Sequence, residues 1–152
     1  ILNIGDSRVF IIRDGVIVFT NKEQYISQLC PEQVGTTEQV KLPSSVVQYF
    51  DFDLKTGDLL MLCSDGITDN LYPDEILQLI KKGLNEDHTN LAEVCRQLMI
   101  ESKRLAFDNY CVTPYVEKVN EVGNNFITGG KLDDISVGLA KVVINENGET
   151  KV

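Results

Sequence analysis

Asp65 closes an apolar run, Leu59-Leu60-Met61-Leu62, in the stretch Cys63-Ser64-Asp65-Gly66-Ile67-Thr68-Asp69-Asn70. The run reads as a buried strand. A carboxylate at the end of such a strand stands on a rigid element, and the glycine behind it permits a sharp turn or a close approach of backbone. Asp69 lies four residues on and faces the same pocket if the chain turns helical there. Asp-Gly also marks ordinary turns. Two further acidic positions accompany it: Asp133-Asp134, before the last apolar segment, and Asp6, in Gly5-Asp6-Ser7. Each has a plain alternative. The pair is also a solvated turn, and Asp6 also organises its own turn by side-chain bonds to backbone.

Carboxylates brought to one pocket from distant parts of a chain form an oxygen-only donor set. Such a set selects hard cations, Mg²⁺ or Mn²⁺ rather than zinc. Two such ions about 4 Å apart can share a water and make it acidic enough to attack phosphorus as hydroxide, with no nucleophilic side chain. The rest of the chain offers little competing chemistry. The single histidine, His88 in Asn85-Glu86-Asp87-His88-Thr89, reads as a solvated surface group between two helices. No Cys-His or Ser-His pair stands out. Gly129-Gly130 is too short for a phosphate-binding loop.

The elements that must position these groups belong to one domain. The chain has 152 residues, 43% hydrophobic and 24% charged, an ordinary globular composition with enough length for a core. Its net charge of −9 argues against sequence-independent nucleic-acid binding, which needs a basic surface. Cys30, Cys63, Cys95 and Cys111 show no C-x-x-C spacing and read as free thiols in a reducing, intracellular compartment; Cys63 and Cys95 fall in apolar patterns and read as core. No apolar run approaches the ~20 residues of a membrane span. Ile1-Leu2-Asn3-Ile4 reads as a strand already under way, so the chain is expected to be the later part of a larger protein, or a processed piece of one.

Residues 8–12 and 16–19 read as a hairpin about Asp14-Gly15. Residues 20–45 read as a long surface connection. Residues 46–52 and 59–64 read as strands, with Asp51 and Asp53 facing solvent. A helix opens at Pro73 and is expected to end at Lys81-Lys82-Gly83. A second starts near Asn90, with Glu93 completing a capping box and Leu91, Val94, Cys95, Leu98, Leu105 and Ala106 on one face. Residues 107–130 read as irregular, 135–144 as the closing strand, and Asn147-Gly148 as the start of a tail. Strands, then helices, then a strand predict an α+β fold with antiparallel sheet and segregated helices.

Three segments in this order resemble the later motifs of the type-2C metal-dependent protein phosphatases. They are Asn3-Ile4-Gly5-Asp6-Ser7-Arg8; Gly57-Asp58 leading into Cys63-Ser64-Asp65-Gly66-Ile67-Thr68-Asp69-Asn70; and Gly129-Gly130-Lys131-Leu132-Asp133-Asp134-Ile135-Ser136-Val137. The stretch 110–130, with Thr113-Pro114-Tyr115, looks most like the short, single-domain branch, which is typically organellar (mitochondrion or plastid). The resemblance implies part of a four-layer sandwich, two antiparallel sheets flanked by helices. It also implies a binuclear Mn²⁺ or Mg²⁺ centre that hydrolyses phosphoserine and phosphothreonine on a phosphoprotein substrate. By motif match, Asp65 and Asp133 would be ligands of the metal pair, Asp69 and Asp6 would serve a weaker third site, Gly66 and Asp134 would support them, and Asp58 would be structural.

The resemblance also defines what this chain does not hold. The family's early Asp-Gly motif, its phosphate-gripping arginine and its early histidine would lie upstream of Ile1. Residues 1–152 are thus expected to be the C-terminal part of a single catalytic domain, with part of the active site and no activity alone. Two rivals stand beside the enzyme. One is a pseudophosphatase that uses the fold as a binding or adaptor module. The other is an unrelated acidic α+β domain that binds divalent cations structurally. Nothing in the sequence sets the oligomeric state.

Overall fold

The computed structural model describes residues 1–27, 29–35, 41–86, 90–123, 126–144 and 150–151. The elements are β1 (Leu2–Asn3), β2 (Arg8–Arg13), β3 (Val16–Thr20), β4 (Tyr25–Ser27), β5 (Cys30–Pro31), α1 (Pro43–Val46), β6 (Gln48–Tyr49), β7 (Leu59–Cys63), α2 (Asp65–Thr68), α3 (Pro73–Glu86), α4 (Leu91–Ala106), α5 (Pro114–Val122), β8 (Val137–Lys141), β9 (Val143–Ile144) and β10 (Thr150–Lys151). His88 and the Asn147-Gly148 pair lie outside the described residues.

A four-stranded antiparallel sheet, in the order β3-β2-β7-β8, carries the architecture. The β2–β3 turn sits where Asp14-Gly15 predicts it. Asp14 and Gly15 both have positive φ, 51° and 73°, as a two-residue hairpin turn requires. Alternation along the strands sends Phe10, Ile12, Leu59, Met61 and Cys63 to one face, where they pack with Ile76, Ile80, Val94 and Leu98 of α3 and α4. The opposite face carries Val9, Ile11 and Leu62. Phe50 and Phe52 pack on Phe19 there, at ring distances of 5.4 and 5.6 Å. Leu62 on that face is 61% exposed.

Several elements depart from their sequence expectation. Helix α3 does not stop at Gly83 but runs to Glu86. The glycine serves a close approach: a Cβ there would lie 2.7 Å from Val94 Cγ2 of α4. Segment 20–45 is not only connection, since β4 and β5 pair within it. A helical turn, α1, replaces the start of the strand expected at 46–52, of which only β6 remains, paired with β1. Asp51 and Asp53 are exposed, but on irregular chain. Within 107–130 lies helix α5, capped by Thr113, whose hydroxyl accepts from Val116 N, with Pro114 in the first turn. The closing strand is interrupted at Val142, and the tail returns, β10 pairing antiparallel with β9. Cys95 is half-buried where a core position was expected.

Asn90 caps α4, its side chain accepting from Glu93 N at 3.0 Å, but the Glu93 carboxylate accepts from Arg96 and Gln97 rather than completing the expected capping box. The apolar face of α4 contains one polar residue, Ser102, which is fully buried. Asp58 is structural: its carboxylate takes a two-pronged ion pair from Arg13, at 2.8 and 2.7 Å, and accepts from Lys55 N at 2.8 Å. No described helix is long and apolar enough to cross a membrane.

Candidate active site

Asp65 begins α2 directly after β7, so the strand delivers the carboxylate and the helical turn brings Asp69 to the same side. Gly66 is required by the close approach of the segment carrying Asp133 and Asp134. A Cβ on it would lie 2.5 Å from the carbonyl oxygen of Asp134. The Gly66 carbonyl in turn accepts from Asn70 Nδ2 and from the buried Ser102 hydroxyl of α4. The segment carrying Asp133 is fastened alongside. Ser64 Oγ donates to Asp134 O at 2.8 Å, and Ser136 N donates to Ser64 Oγ at 3.0 Å. The buried Asn70 side chain donates to Lys131 O and accepts from Lys131 N, both at 2.9 Å. Asp134 thus supports the site by its backbone, while its own residue is exposed.

These attachments bring three of the sequence-chosen acids onto one point. Lys131 Nζ lies 2.6 Å from Asp65 Oδ2, 2.7 Å from Asp69 Oδ2 and 2.8 Å from Asp133 Oδ2. Asp6 lines the same cavity, of about 220 Å³, together with Tyr25, Tyr115 and Lys118. Lys118 of α5 reaches Asp69 Oδ1 at 3.1 Å and Glu23 at 2.8 Å, and Glu23 also takes Arg8 at 3.1 Å. The result is a continuous chain of alternating charges from Arg8 to Asp133. A larger cavity, about 550 Å³, lies elsewhere, between Ile12, Leu59, Leu77 and Ile80, but it gathers no cluster of acids.

The charges set the protonation states. Burial alone would lower the Lys131 ammonium, but its bonds to Asp133, Asp65 and Asp69 outweigh this and hold it above the usual lysine range. Lys118 is held up in the same way, against burial, by Glu23 and Asp69. The Asp133 carboxyl is lowered, chiefly by its bond from Lys131. The Asp6 carboxyl is raised, first by burial and then by the negative charge of Asp65.

The donor set is all oxygen, which suits a hard divalent cation. A positive charge already rests where the three oxygens meet. Among the described residues no group of His, Cys, Asp and Glu side chains is gathered tightly enough to hold a metal ion as it stands. The carboxylates sit at ammonium distance, 2.6–2.8 Å, wider than the ~2.1 Å of a Mg²⁺–oxygen bond. Sequence reasoning quoted Lys131 within a motif and gave it no role; Lys118, in a segment read as irregular, gave no signal. A lysine two residues before one of the chosen aspartates was the available clue.

No family model matches the chain. The rice (Oryza sativa subsp. japonica) "Probable protein phosphatase 2C BIPP2C1" is 33% identical over 140 residues, 92% of this chain and 24% of that protein. The human "Protein phosphatase PTC7 homolog" is 31% identical over 146 residues, 92% of this chain and 48% of that protein. The chain therefore spans half or less of the length of these relatives. The X-ray structure of the photosystem II phosphatase PBCP superposes with a TM-score of 0.83 over 93% of this chain and 58% of that one. At 23% identity, that likeness speaks for the fold. Relatives named as protein phosphatases, type 2C among them, thus match most of this chain's sequence, and its described residues share the fold of a solved phosphatase structure.

Proposed function

We propose that residues 1–152 are the C-terminal part of a type 2C catalytic domain that hydrolyses phosphoserine and phosphothreonine in proteins. The observation that carries this reading is the meeting of Asp65, Asp69 and Asp133 on one positive charge. Asp65 and Asp133 would hold a Mn²⁺ or Mg²⁺ pair from this chain, with Asp69 and Asp6 at a weaker third site. Such a pair, when bound, supplies hydroxide near neutral pH and positive charge toward a phosphoryl group. The chain's own part is orientation. Gly66, Ser64 and Asn70 fix the two acidic segments against each other, and Lys118 ties α5 to Asp69. The segment 107–130 borders the cavity through Tyr115 and Lys118 and would meet the phosphoprotein. A mitochondrial or plastid setting goes with the short, single-domain branch.

The second reading, a pseudophosphatase, rests on the same ammonium, which already pairs with all three carboxylates. Mn²⁺-dependent hydrolysis of a phosphothreonine peptide by the natural full-length protein separates the two. Turnover that needs metal and falls by at least about 100-fold in Asp65→Asn supports the enzyme. Asp133→Asn should behave alike, and Asp69→Asn should lose less. A folded, Mn²⁺-saturated protein without turnover indicates a binding module.

A further inference from the structure

Lys131 is placed with more care than a surface cation needs. Its backbone is clamped on both sides by the buried Asn70 amide. The residue before it, Gly130, lies so close to α4 that a Cβ would clash with the carbonyl oxygen of Leu105. The stem therefore starts from a fixed point, and only the side chain is free to move. Its Nζ contacts one oxygen from each of Asp65, Asp69 and Asp133, the carboxylates proposed to hold divalent cations. An ammonium and a metal ion cannot share them: the nitrogen fills the meeting point, and the two positive charges repel at that separation. Nζ also lies 5.5 Å from the centre of the Tyr115 ring, on α5, at the rim of the cluster.

We infer that Lys131 is a tethered counter-cation that occupies the carboxylate cluster in the metal-free protein and must leave it for a divalent cation to enter. Metal affinity is then set by a competition inside the molecule: the metal-binding form is only a fraction of the metal-free population, and the apparent affinity is reduced by that fraction. The inference rests on the proposed metal-binding role of Asp65 and Asp133.

The test is Mn²⁺ binding to the natural full-length protein, followed by the electron paramagnetic resonance of free Mn²⁺, for wild type, Lys131→Met, Lys131→Gln and Asp65→Asn. Lys131→Met, which keeps the length of the stem, and Lys131→Gln should each bind Mn²⁺ about tenfold or more tightly, within the range of ordinary coupling between two ligands. Unchanged or weaker binding in both variants, with Asp65→Asn still weakened, overturns the counter-cation and leaves the metal site standing. Equal binding by all four proteins overturns the metal site, and the counter-cation with it. Wild type gives an independent reading that needs no variant. Acetylation of Lys131 by a water-soluble succinimidyl ester, followed by mass spectrometry, should speed up severalfold on Mn²⁺ loading as the side chain moves into solvent. An unchanged rate in protein shown to have bound Mn²⁺ counts against displacement.

Discussion

At the scale of the residue, the acids were legible and the base was not. Asp65 and Asp69 declare themselves by a strand end, a glycine and a spacing of four; Asp133 does so by its place before the last strand. The role of Lys131 exists only once three aspartates from two distant segments are known to meet, and no local pattern encodes that meeting. Asp134 was visible as an acid, whereas its contribution is a carbonyl oxygen beside Gly66. The thiols offer a separate test. Burial pushes the Cys63 thiol up to about 12, while Cys30 is exposed. Ellman's reagent should modify Cys30 first in the folded protein, and Cys63 only on unfolding. Peptide mapping of the partly modified protein reads the order.

At the scale of the element, periodicity found α3 and α4 because both bury apolar stripes against the sheet. It missed α5, whose Val116, Val119 and Val122 are β-branched and whose start is signalled only by Thr113-Pro114. It misplaced the end of α3, because Gly83 carries the chemistry of a helix stop while serving helix packing. Two predictions belong here. Gly130→Ala forces a methyl group into the backbone of α4 and should cost about 3 kcal/mol in urea unfolding; a loss under about 0.5 kcal/mol, the level of an ordinary surface change, would contradict the packing described. Arg13 holds the Asp58 carboxyl well below its ordinary value. A lowered folded-state value means the contribution is present above the unfolded value and is lost as pH falls through the folded one. The stability advantage of wild type over Asp58→Asn should therefore persist at pH 6 and close below about pH 4, in thermal melts across that range.

At the scale of the whole molecule, the α+β class and antiparallel sheet follow from the order of strands and helices, but the layering does not. One sheet face is covered by α3 and α4. The other exposes Leu62 beside a recess of about 620 Å³ lined by Leu2, Val9 and Gly138. If a second sheet stacks there in the full-length protein, Leu62→Lys should lower its melting temperature while leaving the solubility of residues 1–152 equal or better. An unchanged melting temperature would place Leu62 at an open surface. The stitching of Ser64, Asn70 and Ser102 has a consequence of a different kind. It holds the acidic loops in register by hydrogen bonds of the chain itself, and Lys131 offsets part of their charge. Chelation should therefore silence the protein without unmaking it: circular dichroism after EDTA should match that before, unlike a zinc finger, which unfolds when its metal is withdrawn. On the proposed metal-dependent reading, such a protein would keep its shape through metal scarcity and resume work when the ion returns, with no refolding in between.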